Sequence, residues 1–385
     1  MHKSPGNKIR ILHVVGKMNR AGIETWLMHV LRTIDRERFE MDFLVHTLDT
    51  CAYDEEIRRL GSRLIPCLNP SNPVIYARDF VRILRRYGPY DIVHSHLHHF
   101  SGYIMWLSAL AGIPIRIAHS HNDISSKEDS VGFARRAYLT LTERLISRYA
   151  TAGLAVSRNS ADDLFGEHWQ SDPRWHLSHL GIDLEPFRSA VDRHAVRREF
   201  GFPQDAFIIG HVGRFAMPKN HIFLLDIAAE LIRQRANTHV LFIGDGPLRP
   251  ETERKVEALG IADRVAFAGV RPDVPRLMLG AMDVLLMPSL HEGLPLTLME
   301  AQAAGLPCVF SDVITDEADI VESLVTRLSL EEPPERWAEA VLAAGGNRLS
   351  PDAALAEVEK SDFNISVSVR NLTEFYRYYT NRPGR

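Results

Sequence analysis

Residues 9–34 read IRILHVVGKMNRAGIETWLMHVLRTI, and the rest of the chain repeats the pattern of this stretch. Residues 9–15 are apolar and mostly branched, which predicts a buried strand that ends at Gly16. After Gly22 the period changes, because apolar side chains recur every three or four residues, as on one face of a helix. These side chains are Ile23, Trp26, Leu27, Val30, Leu31 and Ile34. The stretch therefore predicts a strand, a loop bounded by glycines, and a helix.

The same alternation of strand and helix continues in two series. The first predicts strands at residues 39–45, 62–66, 91–96, 115–119, 152–157 and 176–180, and helices at 73–87, 101–111, 132–149 and 158–166. The second predicts strands at residues 207–212, 239–243, 265–268, 284–287 and 307–310, and helices at 219–235, 248–259, 273–280 and 295–304. Residues 181–198, between the two series, are expected to form a loop.

Strands that alternate with helices form parallel sheets covered by helices on both faces. We therefore expect two doubly wound α/β domains, residues 1–185 and residues 186–360. Sheets of this kind bind ligands beyond the carboxyl ends of their strands, so two in tandem are expected to face a ligand-binding cleft. Residues 361–385 contain a further predicted helix, which we expect to pack back on the first domain.

The composition excludes several classes of protein. Of 385 residues, 45% are hydrophobic and 24% charged, which argues against a disordered, collagen-like or coiled-coil chain. Forty-five Lys and Arg stand against 49 Asp and Glu, and the formal charge of −4 provides no basic field for nucleic acid. We expect no nucleic-acid partner.

The sequence favours a cytoplasmic location. Three cysteines are too few for a disulfide framework and are typical of a reducing compartment. The apolar run at residues 11–15 is too short for a signal peptide. The longest apolar region, residues 103–115, is interrupted by Gly112 and Pro114 and is too short to span a bilayer. Any membrane contact is therefore expected to be peripheral.

A loop in the second domain carries two cations. Gly213, Arg214, Lys219 and Asn220 lie between the predicted strand 207–212 and the helix that follows it. Backbone N–H groups at a helix N-terminus, the helix dipole and cationic side chains all favour an anion such as a diphosphate. A solvated basic turn is the alternative, and these residues alone do not separate the two.

A pair of glutamates follows the predicted strand 284–287. Residues 292–300 read EGLPLTLME, so Glu292 lies on the loop that enters a helix and Glu300 lies inside the helix. Carboxylates accept hydrogen bonds from sugar hydroxyls, and the free N–H groups at the helix start can meet phosphate oxygens. The alternative is a helix-start glutamate favoured by the dipole and an exposed glutamate inside the helix. The small residues and the proline around the pair favour the functional interpretation.

The glycine-rich turns do not carry the dinucleotide fingerprint. Gly16 and Gly22 lack the G-x-G-x-x-G spacing, and Gly244 and Gly246 are followed by Arg249 where a third glycine is required. A nicotinamide cofactor is therefore not expected. Gly16 and Gly22 nevertheless allow a ligand to approach the backbone closely.

Histidines are concentrated in the first domain. Six of them form two groups along the sequence, His94, His96, His98 and His99, followed by His119 and His121. Histidines at alternate strand positions can converge on zinc, but no paired cysteines and no H-E-x-x-H motif accompany them. We interpret most of them as strand-end residues and place only His121, beside Asn122 and Asp123, in the active cleft. The chain has no Asp-x-Asp motif, so no carboxylate-held metal ion is expected at a diphosphate.

Two predicted helices of the first domain are basic. One carries Arg82, Arg85 and Arg86, and the other carries Arg135, Arg136, Arg144 and Arg148 beside Phe133, Tyr138, Leu141 and Leu145. A solvated face with salt bridges is the simpler interpretation of any single arginine. Basic helices also rest on anionic lipid, so peripheral contact with the cytoplasmic face of the inner membrane is the alternative.

Together these motifs resemble those of the retaining nucleotide-sugar glycosyltransferases of family 4, most closely the bacterial exopolysaccharide and capsule type. The resemblance covers nearly the whole chain. Its elements are the glycine-rich loop at 16–26, HSHN at 119–122, GID at 181–183, GR at 213–214 with KN at 219–220, and residues 288–301 with the two glutamates. It implies the GT-B architecture, in which two Rossmann-like domains face a cleft and serve acceptor and donor.

The resemblance also implies the reaction. We expect a hexosyltransferase that moves a sugar from a nucleotide diphosphate sugar to a growing glycan, with retention at the anomeric carbon. A UDP-sugar is the preferred donor and a lipid-linked glycan the preferred acceptor, in exopolysaccharide or capsule synthesis. No metal ion and no other cofactor is expected.

The resemblance further implies roles for single residues. The catalytic set would be His121, Arg214, Lys219 and Glu292. The donor-binding set would be Gly22, Arg214, Lys219, Arg271, Glu292, Gly293, Leu296, Thr297 and Glu300. In these sets the two cations would stabilise the departing diphosphate, Glu292 would contact sugar hydroxyls and Glu300 would bind the ribose. The segment around Val270 and Arg271 would border the base.

Two positions depart from the family pattern. Ala21 stands where a second glycine is common, which narrows the conformational freedom of the loop. Leu180 stands where Asn often precedes the Gly-Ile-Asp element, and Leu cannot make the side-chain hydrogen bond of that Asn.

Two other functions fit the same architecture. A nucleotide-sugar 2-epimerase would need further acid and base carboxylates and would process the donor without an acceptor. A non-catalytic nucleotide-sugar-binding subunit would have no need of both cations and His121.

Overall fold

The computed structural model describes residues 8–121 and 132–382, and for residues 133 and 134 it describes the backbone alone. The chain folds as two compact units. The first is formed by Met1–Gly181 together with Ile365–Arg385, and the second by Ile182–Asn364.

The first unit contains a seven-stranded parallel sheet. Its strands are β1 (Ile9–Val14), β2 (Phe39–Val45), β3 (Leu64–Pro66), β4 (Ile92–Ser95), β5 (Ile115–Ser120), β6 (Ala152–Ala155) and β7 (Trp175–Leu177). The strand order is β3-β2-β1-β4-β5-β6-β7, so β1 and β4 are neighbours where the order reverses. In doubly wound sheets ligands bind at this point, beyond the carboxyl ends of the strands.

Six α-helices connect these strands in the part of the chain that the structure describes. They are α1 (Gly22–Thr33), α2 (Asp54–Arg59), α3 (Pro73–Tyr87), α4 (Ser101–Leu110), α5 (Phe133–Tyr149) and α6 (Arg158–Phe165). The apolar stripe predicted for α1 is confirmed, because Trp26, Leu27 and Val30 on it are fully buried. Ser157 starts α6 with a capping box that it shares with Ser160.

The second unit contains a six-stranded parallel sheet in the order β10-β9-β8-β11-β12-β13. Its strands are β8 (Phe207–Val212), β9 (Thr238–Ile243), β10 (Val265–Phe267), β11 (Val284–Met287), β12 (Cys308–Ser311) and β13 (Val325–Leu328). Its helices are α7 (Arg193–Glu199), α8 (His221–Gln234), α9 (Arg249–Ala258), α10 (Val274–Gly280), α11 (Leu296–Ala303), α12 (Pro334–Ala344) and α13 (Pro351–Val358). Here β8 and β11 are the neighbours where the order reverses.

The last helix, α14 (Ile365–Asn381), belongs to the first unit and packs against α1. The boundaries expected after residues 185 and 360 differ slightly from those of the structure. The Ile182 N–H donates to the Phe363 carbonyl at 2.7 Å, and Ile182 also pairs with Asn364. This pairing holds residues 182–185 and 361–364 in the second unit.

The expectation of two doubly wound α/β domains is confirmed. The loop expected at residues 181–198 is wrong in part, because α7 begins at Arg193. Asp192 caps this helix by accepting from the N–H groups of His194 and Ala195. None of the described helices combines the length and apolar character that crossing a membrane requires.

Candidate active site

The two predicted cations follow β8 in the second unit. Gly213 comes directly after the strand, and its N–H donates to the Ile243 carbonyl at 2.9 Å. Lys219 ends a short 3-10 turn, and Asn220 then adopts a left-handed conformation with φ of 52° before α8 begins. The strand, the turn and the helix start hold the Lys219 backbone beside the carboxyl end of β8.

Lys219 is paired with Glu292. Its Nζ donates to Glu292 Oε1 at 2.5 Å across 73 residues of sequence. Only 18% of the Lys219 side chain and 12% of the Glu292 side chain are exposed. Because β8 and β11 are neighbours, the loops that follow these strands meet. The structure thus brings together two residues of the predicted catalytic set.

Arg214 differs from Lys219 in having no partner. Its side chain is exposed, and it makes no hydrogen bond or ion pair with a residue that the structure describes. A guanidinium without a partner among the described residues, on the same loop as a lysine, is well suited to an anion with several oxygens, since it offers five donors in a planar fork.

The start of α11 supplies further donors. Pro295 is the N-cap and provides no side-chain acceptor, and the Leu298 N–H donates to the Pro295 carbonyl at 2.9 Å. The N–H groups of Leu296 and Thr297 find no acceptor among the described residues. Both carry the partial positive charge of a helix N-terminus. Gly293 lies on the partly exposed loop between Glu292 and this helix start.

Glu300 lies one turn inside α11. Its side chain is partly exposed, yet the protein atoms packed around the carboxylate raise its pKa to about 7. No described residue donates a side-chain hydrogen bond to it. The carboxylate thus lacks a side-chain hydrogen-bond donor among the described residues. The hydroxyl groups of a ligand could donate to it.

Arg271 is engaged within the protein. Its guanidinium donates to Asp273 at 2.8 Å and to Glu199 at 2.8 Å, and these carboxylates raise its pKa. Arg276 donates to the same two carboxylates. Val270 is 56% exposed beside this network. The donor-binding role of Arg271 stays a prediction.

Gly22 begins α1 in the first unit. A Cβ built on this glycine would meet no atom within 4 Å. Packing among the described residues therefore does not require glycine at this position. Ala21 has φ of −141° and ψ of 169°, an extended conformation that any residue adopts. Alanine at this family glycine position thus causes no backbone strain.

The segment around Leu180 is held by α14. Leu180 is buried, and a Cβ on Gly181 would lie 2.5 Å from the Ile365 Cα. The Ser368 hydroxyl donates to the His179 carbonyl at 3.0 Å. Backbone packing against the last helix fixes this segment without an Asn side chain at position 180.

His121 belongs to a cluster of histidines, most of which the sequence analysis interpreted as separate strand-end residues. Its members come from the carboxyl-terminal parts of β1, β4 and β5, and they are buried. They are His13, His94, His96, His119 and His121. Trp26 of α1 and Tyr376 of α14 pack against them. The alternation of histidines at 94 and 96 and at 119 and 121 was the signal, because alternate residues of a strand share a face.

Burial keeps these histidines neutral. It lowers the pKa of His121 to about 3 and that of His13 to about 3. It also lowers the pKa values of His94, His96 and His119 well below the usual value. Neutral imidazoles are also the form that binds metal ions, and two groups in this cluster hold their ring nitrogens within 4.8 Å of one another. These groups are His13 with His94 and His96, and His96 with His119 and His121.

A further histidine pair lies just beyond β4. His98 has φ of 50° and its Nε2 lies 2.6 Å from Asp163 Oδ2. Both ring nitrogens of the neighbouring His99 are buried and lack partners among the described residues. His98, His99 and Asp163 form a third group with metal-ligand spacing. Asn122 and Asp123, which we placed beside His121, lie outside the described residues.

Profiles of two sequence families match the chain. Residues 20–186 match Glycosyltransferase Family 4, and residues 206–346 match Glycosyl transferases group 1. The Bacillus subtilis (strain 168) protein EpsF, which is named as a glycosyltransferase, is 39% identical over 379 residues, 97% of each chain. The chain belongs to glycosyltransferase family 4.

This glycosyltransferase is also related to a capsule enzyme and to a solved structure. The capsular polysaccharide biosynthesis glycosyltransferase CapH of Staphylococcus aureus is 25% identical over 376 residues, 96% of this chain and 98% of CapH. The crystal structure of Anabaena Alr3699/HepE in complex with UDP and glucose has a TM-score of 0.78 at 19% identity, covering 95% of this chain and 99% of that one. This likeness shows the GT-B fold.

Proposed function

We propose that this glycosyltransferase transfers a hexose from a UDP-sugar to a growing, lipid-linked glycan in exopolysaccharide or capsule synthesis. We further propose that the anomeric configuration is retained and that no metal ion takes part. The observation that carries the proposal is the Lys219–Glu292 pair at 2.5 Å, on the loop that also carries Arg214, an exposed residue with no partner among the described residues. The UDP bound in the Anabaena structure supports the choice of donor.

The second unit would hold the donor. Arg214, Lys219 and the N–H groups of Leu296 and Thr297 would bind the diphosphate, because each offers a donor with positive charge behind it. Glu300 would accept hydrogen bonds from the ribose hydroxyls, for which its carboxylate has no competing donor among the described residues. Glu292, already held by Lys219, would accept a hydrogen bond from a hydroxyl of the transferred sugar.

The chemical demand of the reaction is stabilisation of the charge that develops on the leaving diphosphate. Cations and amides meet this demand best when they are already in position. One such donor lowers the activation free energy by about 3 kcal/mol or more. Lys219 is fixed by Glu292 before any ligand arrives. The two cations would supply the positive charge that a divalent ion supplies in other transferases.

We propose that the departing phosphate itself accepts the proton of the acceptor hydroxyl, on the face that it leaves. In this step the bond from the anomeric carbon to the phosphate oxygen breaks and a bond to the acceptor oxygen forms. The hydroxyl proton passes to the released diphosphate. The new bond forms on the face of the old one, so configuration is retained without a covalent enzyme intermediate.

The first unit would take the acceptor. On α5, Arg144 and Arg148 are exposed, and so are Tyr138 and Leu141, with 44% and 56% of their surface accessible. An exposed face that combines arginines with apolar side chains suits an anionic lipid surface. This face supports the proposal of a lipid-linked acceptor and of peripheral membrane contact from the cytoplasmic side.

Product analysis with and without acceptor tests the proposal against its two rivals. The purified protein is incubated with each of several UDP-sugars and with lipid-linked oligosaccharides from a bacterial membrane extract. Transfer that requires the acceptor and gives a product of unchanged anomeric configuration supports the proposal. Conversion of the donor alone would indicate a 2-epimerase, and binding without turnover would indicate a non-catalytic subunit.

A further inference from the structure

Three buried histidines of the first unit form a continuous chain of hydrogen bonds. His13 lies on β1, His96 directly follows β4 and His121 directly follows β5. His13 Nδ1 lies 3.0 Å from His96 Nε2, and His96 Nδ1 lies 2.8 Å from His121 Nε2. Both distances are those of ordinary hydrogen bonds. We call this chain, His13–His96–His121, the histidine relay.

The two ends of the relay lack partners. His121 Nδ1 and His13 Nε2 are both buried, and neither has a hydrogen-bond partner among the described residues. Each buried ring is neutral, so it carries one N–H and one lone pair. Every internal hydrogen bond therefore fixes which nitrogen of the next ring holds the proton.

Only two arrangements satisfy both internal bonds. In the first, all three rings are protonated at Nδ1, so His13 donates to His96, His96 donates to His121, and His121 Nδ1 ends the chain as a donor. In the second, all three are protonated at Nε2, both bonds reverse, and His121 Nδ1 ends the chain as an acceptor. The tautomer of His121 is thus tied to that of His96 and, through it, to that of His13.

Both ends of the relay are buried, so their positions in the fold distinguish the two arrangements. An unpaired N–H is costlier to bury than an unpaired lone pair, and genuinely orphaned buried N–H groups are rare. The second arrangement leaves the N–H at His13, which is 0% exposed and lies inside the sheet on β1. The first leaves it at His121, at the carboxyl end of β5, where a ligand of a doubly wound sheet approaches.

We propose that the relay holds His121 in the Nδ1–H form, so that it donates a hydrogen bond to an oxygen of a ligand bound beyond the carboxyl end of β5. His96 and His13 are positioning residues that act through His121. This inference rests on the proposed function for the identity of the ligand, whereas the tautomer itself is a property of the free protein. Free neutral histidine favours the Nε2–H form, so the relay imposes the less common tautomer.

Two other groups adjoin the relay. His94 Nδ1 lies 2.8 Å from the Tyr376 hydroxyl and His94 Nε2 lies 3.1 Å from His119 Nδ1, which forms a second, parallel branch. A metal ion bound by His96, His119 and His121 is the competing account of the cluster. His96 Nδ1 and His121 Nε2 share one proton in the relay, at 2.8 Å from each other. A metal ion bound through these two nitrogens would have to displace that proton.

The test is nitrogen NMR of the full-length protein labelled with 15N-histidine, in which two-bond couplings report the tautomer of each ring. We expect His13, His96 and His121 to show the neutral Nδ1–H pattern at pH 7, unchanged by EDTA. An Nε2–H pattern or a charged ring at His121 would overturn the proposal. A spectrum that changes when EDTA removes bound zinc would favour the metal site instead.

Two variants of His96 separate positioning from packing. In His96→Asn the side-chain amide N–H takes the place of Nδ1 and continues to donate to His121. In His96→Gln the amide lies at the place of Nε2, and His121 loses its donor. We expect His96→Asn to keep the Nδ1–H signal of His121 and most of kcat. We expect His96→Gln to move His121 to the Nε2–H form and to lower kcat on the order of tenfold with little change in KM.

His46→Asn is the matched control, because His46 is a partly buried histidine of the same unit whose Nε2 bonds the Tyr76 hydroxyl at 2.9 Å, outside the relay. It should change neither the His121 signal nor kcat. If His96→Asn and His96→Gln reduce kcat equally while both leave the His121 tautomer unchanged, the positioning role is wrong. If the tautomers follow the prediction and no sugar is transferred by the wild-type protein, the proposed function fails and the relay stands.

Discussion

Lys219 Nζ and Glu292 Oε1 lie 2.5 Å apart at the carboxyl edge of the second sheet, and they join the loops that follow two neighbouring strands. In this pair the carboxylate holds the ammonium in place while the ammonium neutralises the carboxylate. Each partner is largely shielded from water. A diphosphate that arrives beside Arg214 would therefore meet a cation that is already oriented.

The first prediction concerns Lys219. Lys219→Ala should lower turnover on the order of 10²–10³-fold, because it removes one charge-assisted donor from the leaving diphosphate and leaves Glu292 unpaired. Initial rates at saturating donor measure this effect. Lys255→Ala is the matched control, since Lys255 on α9 pairs with Asp226 at 2.6 Å and is comparably covered. Equal effects of the two substitutions would remove Lys219 from the active site.

The second prediction concerns Glu292. Glu292→Gln keeps the shape of the side chain but frees Lys219 from its partner, so binding of UDP alone should be unchanged or tighter. Turnover should fall at least tenfold, because the carboxylate that accepts a sugar hydroxyl is lost. Calorimetry with UDP checks the predicted affinity, and rate measurements with the complete donor check the predicted loss of turnover. A parallel loss of UDP affinity would show that Glu292 binds the nucleotide rather than the sugar.

The third prediction concerns pH. Burial raises the pKa of Glu300 from 4.5 to about 7, so the folded protein holds this proton more tightly than the unfolded chain between these values. The contribution of Glu300 to the free energy of unfolding is therefore fully present at low pH and is lost as the pH rises through 7. Glu300→Gln should melt higher than the wild type at pH 8 and show little difference at pH 5, measured by calorimetry without ligand.

Ligand binding should show the opposite pH dependence. A ribose hydroxyl donates more strongly to the carboxylate than to the protonated acid, so UDP affinity of the wild type should rise between pH 6 and pH 8. Glu300→Gln should flatten this rise, since the amide does not titrate. A wild-type profile that coincides with that of Glu300→Gln would contradict the ribose contact.

The fourth prediction concerns Gly22. Gly22→Ala meets no protein atom and should leave the melting temperature unchanged, yet it should lower turnover about tenfold or more if a ligand packs against this backbone. Gly346→Ala is the control, because a Cβ there would meet only the Ala343 carbonyl oxygen at 3.9 Å. Full activity of Gly22→Ala would mean that no ligand approaches this loop.

The fifth prediction concerns the basic face of α5. The protein should bind vesicles of phosphatidylglycerol more tightly than vesicles of phosphatidylcholine. High salt should reduce this preference for the anionic lipid. Reversing Arg144 or Arg148 to Glu changes the charge by two, so each substitution should weaken that binding on the order of thirtyfold. Arg254→Glu, on exposed α9 of the second unit, should leave vesicle binding unchanged. Equal binding to both lipids would contradict membrane contact through this face.

Much of the fold follows from apolar periodicity. The strands β1 and β8–β12 are short apolar runs, and α1 carries a clear stripe, so each was predictable by itself. The strand β13 was missed because Val325–Leu328 is only partly buried and contains Arg327, which pairs with Asp319. Helix α12 was missed because only four of its residues are buried, and two of these, Ala338 and Ala344, are alanines that give a weak apolar signal.

The site was predictable in its members and less so in its arrangement. Arg214, Lys219, Glu292 and Glu300 stood out because cations and carboxylates follow predicted strands. That Lys219 contacts Glu292 depends on β8 and β11 being neighbours, and strand order is not encoded in local periodicity. The histidine relay escaped prediction for the same reason, since its three members come from separate strands.

The central claim is that the second unit binds a nucleoside diphosphate through Lys219, Arg214 and the start of α11. Its most direct test is a calorimetric titration of UDP into the wild-type protein and into Lys219→Ala, with EDTA present throughout. We predict that the wild type binds UDP in EDTA, that Lys219→Ala loses about tenfold or more of that affinity, and that Lys255→Ala loses none. Wild-type binding that appears only after magnesium is added, or UDP affinity that is the same in Lys219→Ala, would contradict the account.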